Sequence, residues 1–130
     1  MRNNKVIEQL KLRLGTPTVS IELSDEQFEE AIRTAKEEFE FIVSIFSEEE
    51  YKKKLKIKST WVKRYALAIC KEMLGRVRGK FNPPISLPGA ERVPLDAKEL
   101  LKESEYEKNF LFRCVNDSLG KFVLLNNKNV

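Results

Sequence analysis

Apolar positions along this chain fall into helical stripes separated by short stretches of a different period. Val6, Ile7, Leu10 and Leu14 recur at the spacing of one helix face, and the segment stops at Gly15 with Pro17 two residues beyond. Such punctuation closes helices, because glycine accepts the left-handed conformation that ends them and proline cannot continue one. Val19, Ile21 and Leu23 then alternate with Thr18, Ser20 and Glu22, the period of a half-buried strand or an extended arm. Ser24 opens the sequence S-D-E-Q, which predicts a capping box with Gln27, and Asp25 and Glu26 suit the positive end of a helix dipole. The second predicted helix carries Phe28, Ala31, Ile32, Ala35, Phe39, Ile42 and Phe46 on one stripe, with Glu29, Glu30, Arg33, Lys36, Glu37 and Glu40 opposite.

Charge then separates sharply: Glu48, Glu49 and Glu50 precede Tyr51, and Lys52, Lys53, Lys54, Lys56 and Lys58 follow around Leu55 and Ile57. This segment reads either as a solvated loop or helix end, or as a patch for phosphates or an acidic protein partner. Ser59 or Thr60 caps a third predicted helix bearing Trp61, Tyr65, Ala68, Ile69, Met73, Val77 and Phe81, with Ala66, Leu67 and Cys70 widening the apolar surface. So broad a face predicts burial on two sides, at the centre of a bundle. Gly75 and Gly79, four residues apart on one face, predict a close approach or a soft helix end.

Beyond Asn82 the pair Pro83-Pro84 forbids helix continuation. Ile85 and Leu87, the Pro88-Gly89 turn, and Val93 and Leu95 predict a small hairpin near residues 83–95, at an edge or as a protruding loop. Asp96 begins D-A-K-E, a second capping pattern, and Ala97, Leu100, Leu101, Phe110, Leu111, Cys114, Val115 and Leu119 keep helical spacing to Gly120. The polar middle of that helix, Lys102 to Asn109, predicts a projection beyond the core or a contact with another subunit. The pattern thus predicts a mainly α protein: a helical bundle of about four helices with a short β-hairpin or extended arm. Residues 1–120 form the expected single domain and residues 121–130 a C-terminal tail, whose run Phe122, Val123, Leu124 and Leu125 either folds back or docks on a partner.

Composition narrows the chemistry. A chain of 130 residues, 42% hydrophobic and 34% charged, is too apolar for intrinsic disorder and suits one modest core. No apolar run approaches the roughly 20 residues that span a bilayer, and the N-terminus lacks the apolar stretch of a signal peptide, so synthesis and retention in a cytoplasm are expected. Cys70 and Cys114 sit at apolar helical positions as small hydrophobes. With no histidine in the chain, a zinc site built from paired Cys and His and a Cys-His nucleophile are both excluded. There is no glycine-rich phosphate loop and no nucleophile elbow, and the carboxylates fall among lysines at spacings typical of solvated helix faces. Neither an enzyme nor a cofactor is expected. The net charge of +4 is mild, yet Lys52, Lys53, Lys54 and Lys56 could join Arg76, Arg78 and Lys80 on one face as contacts for a partner or for phosphates. Pro88, Gly89, Phe122, Val123, Leu124 and Leu125 are the matching candidates for contacts between subunits or with a larger assembly.

Two stretches carry a resemblance. LRLGTPTVSIELSDEQFEEAI, from Leu12 to Ile32, and YALAICKEMLGRVRGKF with ISLPGAERVPLDAKELL, from Tyr65 to Leu101, resemble small virion structural proteins of tailed bacteriophages, of the neck or head-to-tail connector (adaptor) type. The likeness spans most of Leu12 to Phe112. It implies a helical adaptor that assembles as a homo-oligomeric ring, commonly a dodecamer, below the portal. Such a ring would contact the portal and the next neck or tail protein and would line part of a channel through which DNA passes without sequence recognition. The protein would be made in the host cytoplasm and end in the virion neck, with no membrane partner. The residues alone leave a second function open, a small basic helical module that binds nucleic acid or a partner protein nonspecifically.

Overall fold

The computed structural model describes residues 2–80 and 92–116. Their elements are α1 (Arg2–Leu14), α2 (Asp25–Val43), the short α3 (Glu48–Lys54), a 3-10 turn (Leu55–Ile57), α4 (Lys58–Lys80) and α5 (Arg92–Asn116). Among the described residues four long helices and one short one therefore build a mainly helical fold.

The ends of the first two helices follow from their local sequence. Gly15 adopts φ +121 after α1, its amide donating to Leu12 O at 3.2 Å while that of Thr16 reaches Lys11 O at 3.1 Å. This 6→1 and 5→2 pair satisfies carbonyls that the helix end would otherwise strand. At the start of α2 the Ser24 hydroxyl accepts from Gln27 N at 3.2 Å, and Ser24 N donates to Gln27 Oε1 at 2.9 Å, so both halves of the capping box form. The α2 helix ends at Val43, short of the predicted stripe's end, because a turn intervenes; Phe46 still packs against the core from beyond it.

Helix α4 is the centre of the bundle. Neighbouring helices run antiparallel. Trp61 Nε1 donates to Leu111 O at 2.9 Å and Lys71 meets Glu103 at 3.0 Å, which sets α5 against α4 in opposite directions. On its other side, Phe39 of α2 lies 5.4 Å from the Trp61 ring, while Glu22, just ahead of α2, reaches Arg78 near the end of α4. Lys11 pairs with Asp25 at 3.0 Å and brings α1 back along α2. One core results, with Phe28, Phe39, Trp61, Leu74 and Leu111 fully buried; each such side chain contributes about 1.5–3 kcal/mol relative to exposure. Trp61 and Tyr65 stack at 4.7 Å, and Tyr65 meets Phe112 edge-on at 5.8 Å.

Gly75 of α4 is buried where a Cβ would stand 3.1 Å from Ala97 O and 3.1 Å from Leu101 Cγ. The helices touch backbone to backbone there, the close approach that glycine at this position predicts.

Several expectations are corrected. The described residues contain no strand: residues 18–23 run as an unpaired connection in which Leu23 is buried and Val19 exposed. A ladder needs a partner with free backbone groups, and among the described residues every neighbouring element is a helix that satisfies its own. The second arm of the hairpin is also overturned, because residues 92–95 form the first turn of α5. Pro94 fits that turn, where an amide has no partner inside the helix anyway. The remainder of the hairpin, from residue 83 to 91, and the tail 121–130 lie outside the described residues. Asp96 consequently is not the N-cap of the last helix but a position inside it, with its carboxylate 2.5 Å from Arg78 Nη1. The polar middle of α5 does not project either. Ser104 is buried, and Glu103, Glu107 and Lys108 pair with Lys71, Arg64 and Glu72 of α4.

Candidate assembly surface

The charge-separated segment after α2 folds into α3 and the 3-10 turn. Ser47 caps α3 by accepting from Glu50 N at 3.3 Å. The three glutamates then occupy the positive end of the helix and the three lysines its negative end, so the sequence order itself stabilises the helix. One face turns inward. Tyr51 donates its hydroxyl to Glu40 Oε2 at 3.1 Å, and Lys58 reaches Glu40 Oε1 at 2.6 Å, tying the segment to α2. Lys58 above all, and Tyr51 after it, hold the Glu40 carboxyl below its usual value, while the contact between Glu40 and Tyr51 raises the Tyr51 hydroxyl.

Lys54 is placed differently from its neighbours. Only 4% exposed, it donates to Val115 O at 2.7 Å and lies 4.1 Å from the Phe46 ring centroid. Its ammonium thus satisfies a carbonyl in the last turn of α5, where the helix dipole favours a cation. Burial pushes its pKa down, opposed by Glu50. Lys52, Lys53 and Lys56 remain on the outside with Glu48 and Glu49.

The other basic group is divided as well. Arg78 has a side chain only 17% exposed and holds Glu22 through Nε and Nη2, both at 3.2 Å, together with Asp96 and Ser20 O. It works inside the molecule as a tie between the α1–α2 connection, α4 and the start of α5. Arg76 is exposed beside Glu72 at 3.2 Å, and Lys80 is exposed at the helix end. The two basic groups do not meet: Lys56 and Arg76 are 20 residues apart along α4 and its preceding turn, and at 1.5 Å per residue that is roughly 30 Å. Pro88, Gly89, Phe122, Val123, Leu124 and Leu125 lie outside the described residues.

Sequence reasoning passed over the exposed apolar residues. Phe41 is 72% exposed and Ile45 75% exposed, one helical turn apart, and Leu55 at the far end of α3 is also exposed. Their signal was present as large apolar residues displaced from the core stripe, at i and i+4 after the exposed Glu37. Cys70 is buried and its thiol pushed up to about 12 by desolvation, which leaves it a packing group. Among the described residues no cluster of Cys, Asp and Glu is arranged to hold a metal ion, and no helix is long and apolar enough to cross a membrane.

Comparison with known proteins adds one match. Residues 43–118 fit the family described as bacteriophage T4 neck protein gp13. No curated protein matches the chain, and no solved structure does.

Proposed function

The chain belongs to the bacteriophage T4 neck protein gp13 family, and from that membership we propose a ring-forming head-to-tail connector that joins the portal to the next neck or tail protein. The protein is a structural component of the phage virion neck, a class that is generally not enzymatic. The observation that carries the finer reading is the extent of the match. It covers α3, all of α4 and all of α5, the antiparallel pair that forms the largest packed unit of the molecule. A rigid pair with charged outer faces suits a protomer that must stack beside copies of itself around a channel.

In this reading the ring is a dodecamer and its lumen passes DNA without reading bases. The exposed Lys52, Lys53, Lys56, Arg76 and Lys80 face partner carboxylates or phosphates, whereas Lys54 and Arg78 keep their charges inside the protomer. The segment around Pro88 and Gly89 reaches a neighbour, and Phe122 to Leu125 dock on the portal.

Mass photometry and electron microscopy of the purified chain, alone and with candidate portal proteins, test this. Closed rings that bind a portal are the expected result. A chain that stays monomeric, ignores every portal and binds DNA with a steep salt dependence overturns the connector and favours a nonspecific nucleic-acid module.

A further inference from the structure

We infer that α3, with Phe41 at the end of α2 and Ile45 in the turn that follows, forms a self-complementary contact surface, whose occupant is a second copy of this chain. The inference rests on the neck-assembly reading and assigns it a surface. Phe41 and Ile45 are the two most exposed large hydrophobic residues described, at 72% and 75%. Phe41 lies in the last turn of α2 and Ile45 in the turn that leads into α3, and the contact of Tyr51 with Glu40 ties α3 to that end of α2. Scattered exposed apolar residues need no explanation. This pair, however, leads directly into a helix whose outer face has an unusual order.

Glu48, Lys52 and Leu55 follow at i, i+4 and i+7, so the outward stripe of α3 runs from acid through base to an apolar residue. Ile45 lies next to its acidic end and Leu55 at its basic end. A surface arranged in this way matches itself when reversed or stepped along: the glutamates of one copy meet the lysines of the next, and the Ile45 side of one meets the Leu55 side of the other. The charges are available for such exchange. Within α3 they form only loose pairs, Glu48–Lys52 at 4.0 Å and Glu50–Lys53 at 3.8 Å, and exposed pairs of this kind contribute little. An acidic or a basic partner would match half of the surface, whereas a second copy matches all of it.

The test is the assembly state of the full chain, by sedimentation and mass photometry at low and high salt. The wild-type chain is expected to associate and to weaken as salt rises. Phe41→Glu with Ile45→Glu should shift it to monomer with its helical content unchanged, because both side chains stand in solvent within the protomer. Glu48→Lys with Glu49→Lys, and separately Lys52→Glu with Lys56→Glu, should each weaken association at least tenfold, and mixing these two variants one to one should restore it. Assembly that survives all three double variants overturns this surface while leaving the connector reading intact. Failure of the mixture to restore assembly overturns the charge matching on which the second copy is argued. Intact assembly of the Phe41→Glu, Ile45→Glu chain with faster proteolysis of residues 117–130 overturns it too and gives the face to the chain's own C-terminal segment. Loss of DNA binding by the Lys52→Glu, Lys56→Glu chain without loss of assembly assigns the lysines to phosphates instead. A wild-type chain that stays monomeric even with a portal present removes both readings.

Discussion

Single residues in this molecule do their work through distances of a few tenths of an ångström, and its helical glycines separate two such effects. At Gly75 an added Cβ would stand 3.1 Å from the Ala97 carbonyl oxygen, and a backbone atom of a packed helix yields poorly. At Gly79 the nearest contact would be Ala97 Cβ at 3.7 Å, an ordinary separation. Alanine gains about 1 kcal/mol over glycine in helix propensity, whereas overpacking costs about 1–3 kcal/mol. Gly75→Ala should therefore lower stability by about 1 kcal/mol, and Gly79→Ala should raise it by about 0.5 kcal/mol. Urea unfolding of the two variants checks the pair, and equal signs would contradict the packing at Gly75. The spacing of the two glycines was legible in the sequence. Which of them lies too close to α5 to accept a Cβ was not, since that depends on the rotation of one helix about another.

Between helices, the ties are mostly carboxylates held by cations. Lys108 of α5 foremost, with Arg76 one turn along α4, keeps the Glu72 carboxyl below its usual value, and Arg78 does the same for Glu22. A carboxylate with a lowered folded pKa binds its proton less readily when folded. Its stabilisation is complete above the unfolded value of about 4.3 and is lost as pH falls through the folded one. Thermal melts should accordingly hold a plateau near neutrality and decline below pH of about 4. Glu72→Gln should lower the plateau and make the acid decline shallower, and an unchanged acid slope would mean that Glu72 is not coupled to Lys108. Read along the chain, the polar run Lys102 to Asn109 predicts a projection beyond the core or a contact with another subunit. Within the protomer Glu103, Glu107 and Lys108 find opposite charges along α4, a pairing invisible in either segment read separately.

Across the molecule, Arg78 joins the connection before α2, the end of α4 and the first turns of α5. Arg78→Met should cost about 1 kcal/mol, since its carboxylate partners are half-exposed and screened. Hydrogen exchange should quicken in the first turns of α5 and leave the amides around Trp61 protected; uniform loosening would show that Arg78 is not a local tie. Here the limits of a linear reading are plain. Ser24 with Gln27, Gly15 after Leu14, and the stripe from Phe28 to Ile42 were predictable because caps and periods act within one or two turns of chain, and the breadth of the apolar face on α4 announced its central place. The likeness to phage neck proteins was likewise visible in the residues, and the family match over 43–118 supports it. The fates of chemically identical side chains were not predictable. Lys54 is buried on the Val115 carbonyl while Lys52 and Lys53 stay in water, and Asp96 serves Arg78 rather than a helix start. A charge is spent inside or left outside according to what a distant helix presents to it, and contacts of that range exist only once the bundle has closed.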